Sequence, residues 1–416
     1  MPPLDPDNRN LSCVRGSLSF SNQTKARSMA KAVIKSLYYI THVDNIPSMI
    51  EKGIFSHSEM EAQSIPYTPI YDAQIVGHRQ KKMTPAGETL WNYANLYFQP
   101  RNPMMYRVML EKKKSEIGVI GIDPAVMNQD NNYITDGNAA NGVTEFYSVP
   151  EGKKILERQW GCVTAEYWRE SDGSKRKIMA ECLIPRRIPP ESIHSVFLCD
   201  TQVWQSLRAE VPSRISVVYE PHIFFRADFA QKIGQKISLV RGDMFFSQMQ
   251  TLTVSVNLQG IMGKGLASRA KYQFPDVYVA YQDMCRFKRL TASQPCLYKR
   301  EASLDEELAD QTDGPIKTPN AAKWFLLFAT KRRWQENSRL EDIEAGLEWF
   351  RRNFEKEKVK SIAFPALGCG LGGLPWSEVG PLMCRKLHDI GIDVAIYLPQ
   401  ETKTNPEHLT EDYLLQ

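Results

Sequence analysis

Residues 361–380, SIAFPALGCGLGGLPWSEVG, decide the reading of the second half of this chain. A β-rich run, Ser361 to Phe364, passes through Pro365 into a loop with glycines at 368, 370, 372 and 373, and Pro375 then opens a helix. Glycine permits positive φ and close backbone approach, and a helix start presents N–H groups without intrahelical partners. Strand, glycine loop and helix start in that order make a cradle for a diphosphate. The same stretch also reads as a tight turn that needs glycine for steric reasons alone. A second glycine element, Gly260 to Gly265 after the strand Leu252 to Asn257, favours the cradle. Two such loops after parallel strands can grip a pyrophosphate from both sides with backbone N–H groups alone.

The length, 416 residues, predicts two domains, and 42% hydrophobic with 24% charged residues is ordinary globular composition. No apolar run reaches the length of a membrane span; the densest, WFLLFA at 324 to 329, reads as a buried strand. MPPLDPDNRNLS at the start lacks a basic and then apolar leader pattern, so a cytoplasmic protein is expected. Eight scattered cysteines without a CxxC pair predict reduced thiols and no metal. A net charge of +4 is too small to argue for nucleic acid, so that case rests on local clusters.

Residues 1 to 35 are polar and aperiodic, a tail or loosely docked segment. A strand over Ser36 to Thr41 leads to a helix capped by Asp44 or Asn45 and ended by Gly53. Residues 90 to 110 read as strand, turn at Arg101–Asn102–Pro103, then strand, and 160 to 185 as strand, charged loop and the strand IMAECLI. The first half, 36 to 228, is therefore mainly β. From about 234 to 416 strands alternate with amphipathic helices, an α/β pattern. Ser338 and Glu341 read there as a capping box for a helix carrying Ile343, Leu347 and Phe350.

The second half resembles the macrodomain family, and within it the DarG antitoxin macrodomains, which are ADP-ribosylglycohydrolases acting on DNA. The resemblance rests on Arg241–Gly242–Asp243, Asn257 to Gly265, Ala329 to Trp334 with Ser338 to Leu340, and Gly368 to Trp376. It implies a three-layer α/β/α fold with Asp243 on adenine. It places Asn257, Gly263, Lys264 and Gly265 on the distal ribose and phosphate, and Gly370, Leu371, Gly372, Gly373 and Leu374 on the diphosphate. Lys331 becomes the catalytic residue, able to donate to, or attack, an opened ribose aldehyde if burial lowers its pKa. Without the resemblance, Lys331 with Arg332 and Arg333 also reads as a solvated or phosphate-facing cluster.

In the first half Glu181 stands out inside the apolar run IMAECLI. A carboxylate there costs stability unless paired, so it is either functional or an edge-strand residue facing water. The stretches Tyr39 to Ile46 with Gly53, Leu96 to Tyr106, and Ala180 to Ile184 with Arg187 and Pro189 resemble the DarT toxin family. That family transfers ADP-ribose from NAD to bases of single-stranded DNA. The resemblance implies an α+β ADP-ribosyltransferase fold with a mainly β core and NAD as a substrate, with no metal. It makes Glu181 the catalytic glutamate and Arg79 an anchor for NAD phosphate or the reacting ensemble. Tyr39, Thr41, His42 and Asn45 fall in the NAD site, with Tyr39 standing where many relatives carry histidine. Trp160 to Ile178 becomes the substrate-reading loop, in which Tyr167, Trp168, Arg169, Lys175 and Arg176 pair aromatic faces with positive charge.

The two resemblances together imply a fused toxin–antitoxin: a writer of ADP-ribose on a DNA base, thymidine or guanosine, and an eraser of it. Single-stranded DNA and ADP-ribosylated DNA are the expected partners, and the short join lets the two halves touch. Two other readings stand beside it, an ADP-ribose reader with a weak transferase half, and a transferase–hydrolase pair acting on RNA or protein.

Overall fold

Strand β1 (Leu37–His42) is central to the first half, its sequence LYYITH suiting a strand buried on both faces. The computed structural model describes residues 34–71, 77–312, 314–316, 323–399 and 404–416. The N-terminal segment of the sequence reading lies outside these but for its last two residues. After β1 come β2 (Ile54–Phe55), β3 (Tyr93–Tyr97), β4 (Ile117–Ile122), β5 (Tyr133–Thr135), β6 (Phe146–Ser148), β7 (Glu181–Pro185), β8 (Arg187–Ile188), β9 (Ile193–Leu198) and β10 (Ser216–Tyr219). β2 and β8 form a small ribbon, and the rest form one sheet in the order β10-β9-β4-β1-β3-β7-β5-β6. β1 runs against β4 along its whole length but meets β3 at one aligned pair, Tyr38 opposite Tyr97. Tyr97 in turn lies opposite Glu181 of β7.

Two segments expected to be strands are helices. Pro103–Glu111 is helical because Asn102 accepts the Met105 N–H and Pro103 fixes the first turn. Val149–Val163 is a second helix, so the expected loop of 160 to 178 begins inside it, and the strand of Glu181 starts only at that residue.

The second half adds β11 (Phe229–Ile233), β12 (Ile237–Arg241), β13 (Thr251–Asn257), β14 (Cys296–Tyr298), β15 (Trp324–Lys331), β16 (Ser361–Pro365) and β17 (Asp393–Tyr397). Their order is β11-β12-β17-β16-β13-β15-β14, with the five inner strands parallel and the two edges antiparallel. β11 fills the short stretch between the two expected domains. Helices Gly265–Gln273 and Pro275–Arg286 cover one face of the sheet, and Leu340–Asn353 and Trp376–Leu387 cover the other. The capping box does not form: Arg339 is the cap residue without a side-chain bond, and the Ser338 N–H donates to Gly372 instead.

The halves share a hydrophobic core. Met105, Tyr106 and Trp168 of the first pack in one cluster with Phe246, Leu304 and Leu308 of the second. The Tyr106 hydroxyl donates to Asp305 at 2.8 Å, and Arg107 donates to the carbonyls of Asp310 and Gly314 at 3.0 Å each. Arg101, 3% exposed, reaches Asp243 at 3.0 Å and lies over the rings of Phe225 and Phe246. Among the described residues no helix is long and apolar enough to cross a membrane, and no described cysteine forms a disulfide.

Candidate active sites

Glu181 is fully buried at the start of an interior strand, not on an edge facing water. Arg79 donates to both of its oxygens, Nη2 to Oε2 at 2.8 Å and Nη1 to Oε1 at 3.4 Å. The Ala139 N–H donates to Oε1 at 2.8 Å, and Thr135 Oγ1 accepts the Glu181 N–H at 3.0 Å. Two oxygens offer about four lone-pair directions, so three donors leave room for one more, such as a sugar hydroxyl. The sequence separates Arg79 and Glu181 by 102 positions; only the fold makes them a pair.

Tyr39 lies within electrostatic reach of Arg79. Burial pushes its hydroxyl up to about 12, against the opposing pull of the arginine charge. Thr41 and Asn45 are joined at 3.2 Å, and the Asn45 amide also clamps Thr68 through its N–H and carbonyl at 2.7 and 2.8 Å. Asn45 is thus a strut that holds loop 66–71 beside β1. His42 has other partners. Its Nδ1 accepts the Asp44 N–H and its Nε2 points to Glu116, on the β4 side of β1. Alternation along β1 places it on the other face from Thr41.

One neighbour of this site had no signal in the sequence. His57 stacks on Trp91 at 4.1 Å and bonds the Tyr71 hydroxyl at 2.7 Å. Burial first, and then the charge of Arg79, lower its pKa to about 4. From pH 6.5 down to about 4 the unfolded chain takes up a proton that the folded chain refuses. Stability is expected to fall through that window as pH falls, by roughly 1–2 kcal/mol after discounting for partial exposure. Urea melts at pH 7 and pH 5 check it, and the same pH step in His57→Gln should be smaller.

The expected DNA-contact residues are scattered by the fold. Trp168 is 1% exposed and donates to the Leu308 carbonyl at 2.9 Å, so it is a core residue and not a stacking platform. Tyr167 lies under Arg269, and Arg169 is paired with Asp172. Arg176 grips Asp136 at 2.7 and 2.8 Å. Lys175 pairs with Glu170 at 3.1 Å and faces the Glu306 carbonyl of the second half.

In the second half the expected residues gather where the parallel strands end, the usual ligand edge of such a sheet. Asn257 of β13 lies beside Lys331 of β15. A Cβ on Gly265 would stand 3.4 Å from the Leu371 side chain, so the two glycine loops face each other. Gly372 admits no side chain: its Cβ would be 2.2 Å from the Gly368 carbonyl oxygen. Lys331 Nζ donates to the Leu371 carbonyl, which ties β15 to the second loop. Lys331 is half-exposed, so the burial assumed for it is absent. Asn257 is engaged with its own loop, donating to Ile261 and accepting from Gln259 and Tyr281. Asp243 is shared by Arg101 at 3.0 Å and Arg269 at 2.8 Å through Oδ2, while Oδ1 accepts the Phe245 N–H. One lone pair of Oδ1 remains for an exocyclic amine.

Residues 38–225 match the family described as ssDNA thymidine ADP-ribosyltransferase, DarT, and residues 316–383 match the macro domain family. A DNA ADP-ribosyl transferase–DNA ADP-ribosyl glycohydrolase fusion protein of Thermosipho africanus is 50% identical over 92% of this chain and 98% of its own. The solved structure of Thermosipho africanus DarTG in complex with ADP-ribose covers 92% of this chain and all of its own, with a TM-score of 0.85 and 49% identity. A DNA ADP-ribosyl glycohydrolase of Thermus aquaticus is 34% identical over 40% of this chain and 42% of its own. The chain belongs to the family of fused DNA ADP-ribosyl transferases and DNA ADP-ribosyl glycohydrolases.

Proposed function

We propose that the first half transfers ADP-ribose from NAD to a base of single-stranded DNA in the cytoplasm, and that the second half removes it. The observation that carries the first step is the buried Glu181 held by Arg79 and the Ala139 N–H. Departure of nicotinamide leaves positive charge on the ribose C1′. A fixed carboxylate that accepts the ribose 2′-hydroxyl stabilises that charge without reorganising. That same remaining lone pair, once the hydroxyl releases it, can take the proton of the attacking base nitrogen as the new C–N bond forms. An unpaired base needs no unstacking from a duplex, which favours single strands. Tyr39 and Thr41 serve the NAD side, where the Tyr39 hydroxyl, which feels the Arg79 charge, can donate to a ribose oxygen.

For removal, the facing glycine loops Gly263–Lys264–Gly265 and Gly370 to Leu374 supply N–H groups to the diphosphate, and the free lone pair of Asp243 accepts from adenine. Lys331 at the joint of the loops acts on the ribose C1′ as donor or nucleophile. The test mixes Lys331→Ala protein with NAD and single-stranded oligonucleotides of varied sequence and follows oligonucleotide mass. A gain equal to one ADP-ribose is expected, reversed on adding protein with Lys331 intact. Adducts confined to RNA or protein acceptors would overturn the DNA assignment.

A further inference from the structure

A cavity of about 360 Å³, within the range of small-ligand sites, opens beside the transferase centre, and both halves of the chain build it. The first half contributes His78, next to Arg79, and the turn Asn138 to Gly142. Asn138 and Ala140 flank the residue whose N–H holds Glu181 Oε1. The second half contributes Asp310, Gln311 and Thr312. These are locked in place: Asn138 Nδ2 donates to Asp310 Oδ2 at 3.2 Å and to Thr312 Oγ1 at 3.1 Å, and Asp310 is anchored through its own N–H to the Pro103 carbonyl at 3.0 Å.

The surroundings of the Arg79–Glu181 pair are thus of two kinds. Tyr39 and His57 both feel the Arg79 charge, His57 stacks on Trp91, and none of the three lines the cavity. The cavity is amide-rich, with Lys175 and Arg176 in its wall. Its carboxylates are engaged, Glu170 by Lys175 and Asp310 by Asn138 and Thr312. A transfer reaction needs a donor and an acceptor subsite around one reacting carbon. A flat aromatic setting suits nicotinamide. A polar, amide-rich wall, with Lys175 and Arg176 each already paired to a carboxylate, suits the edge of a base.

Resting on the transferase reading above, we propose that Asp310 to Thr312 of the macrodomain half form one wall of the acceptor-nucleotide subsite, with Gln311 at its mouth contacting the incoming base. Asp310 and Thr312 position Asn138, and Gln311, exposed and bonded through its amide N–H to the Glu306 carbonyl, keeps its side-chain oxygen for the ligand. The eraser half then helps to choose which base the writer half marks.

The experiment uses the full chain with Lys331→Ala, so that adducts persist, and compares it with Gln311→Ala and Gln311→Trp added to that background. Initial rates are measured against oligonucleotide and against NAD separately. An exposed position tolerates both changes, and circular dichroism of each variant confirms the fold. Gln311→Trp, which fills the cavity, is expected to raise the oligonucleotide KM at least tenfold while the NAD KM moves less than twofold. Gln311→Ala is expected to raise the oligonucleotide KM about threefold to fivefold and to alter the ranking of acceptor sequences. Unchanged oligonucleotide KM and ranking in both variants overturns the inference, as does faster modification by Gln311→Trp. No adduct from the Lys331→Ala parent itself sinks the transferase reading and this inference together, whereas adducts from the parent with indifferent variants sink the inference alone.

Discussion

Glu181→Gln is expected to lower transfer of ADP-ribose to a single-stranded oligonucleotide about a thousandfold, on the order of 4 kcal/mol of transition-state stabilisation. Glutamine keeps the volume and still offers a carbonyl to the Ala139 N–H. It removes the negative charge that, in the proposed mechanism, faces the developing C1′ cation, and it turns an N–H₂ toward Arg79, which now meets a donor where it had an acceptor. Loss of a buried ion-pair partner also costs stability, at most about 3–5 kcal/mol. Arg79 keeps 15% of its side chain exposed, which lets water offset part of that loss. Adduct formation should therefore fall far more than the melting temperature suggests. The measurement is initial-rate mass analysis in the Lys331→Ala background together with a thermal melt. A folded Glu181→Gln protein that transfers within tenfold of its parent would remove Glu181 from the chemistry.

Lys331→Ala is expected to slow release of ADP-ribose from a modified oligonucleotide by a hundredfold or more, while affinity for free ADP-ribose changes less than about fivefold. The asymmetry follows from what each group does. In the proposed arrangement the diphosphate is met by backbone N–H groups of the two facing loops, which the substitution leaves in place, whereas the group it deletes is the amine that bonds the Leu371 carbonyl. Lys331→Arg should not restore the rate, since a guanidinium can donate but is a poor nucleophile. Calorimetry with ADP-ribose and a timed release assay separate binding from turnover. Hydrolysis by Lys331→Ala within threefold of the unchanged protein counts against the lysine, and rescue by arginine would recast it as a charge rather than a nucleophile.

Much of the macrodomain half was legible because its information is local. Glycines at 263, 265, 372 and 373 sit within a few residues of the strands and helices they join, and the α/β alternation repeats within each strand–helix unit. Prolines and caps misled where two meanings compete. Asn102–Pro103 reads as a turn between strands, yet the same two residues start a helix once Tyr106 has a partner in Asp305. Trp168 beside Arg169 reads as a stacking platform, and becomes core because Phe225 and Phe246 arrive from elsewhere in the chain.

The sequence alone pointed to the two chemistries through motifs that resemble known families, since Glu181 in an apolar run and Lys331 at the end of a buried strand each kept a second reading taken alone. Only the tertiary structure decided their surroundings. Arg79 on Glu181, Arg101 on Asp243 and Asp310 on Asn138 are separated by 102, 142 and 172 positions. Hydrogen bonds and ion pairs act over a few ångströms of space, whatever the distance along the chain. The burial that makes them count arises only when the core closes over both halves.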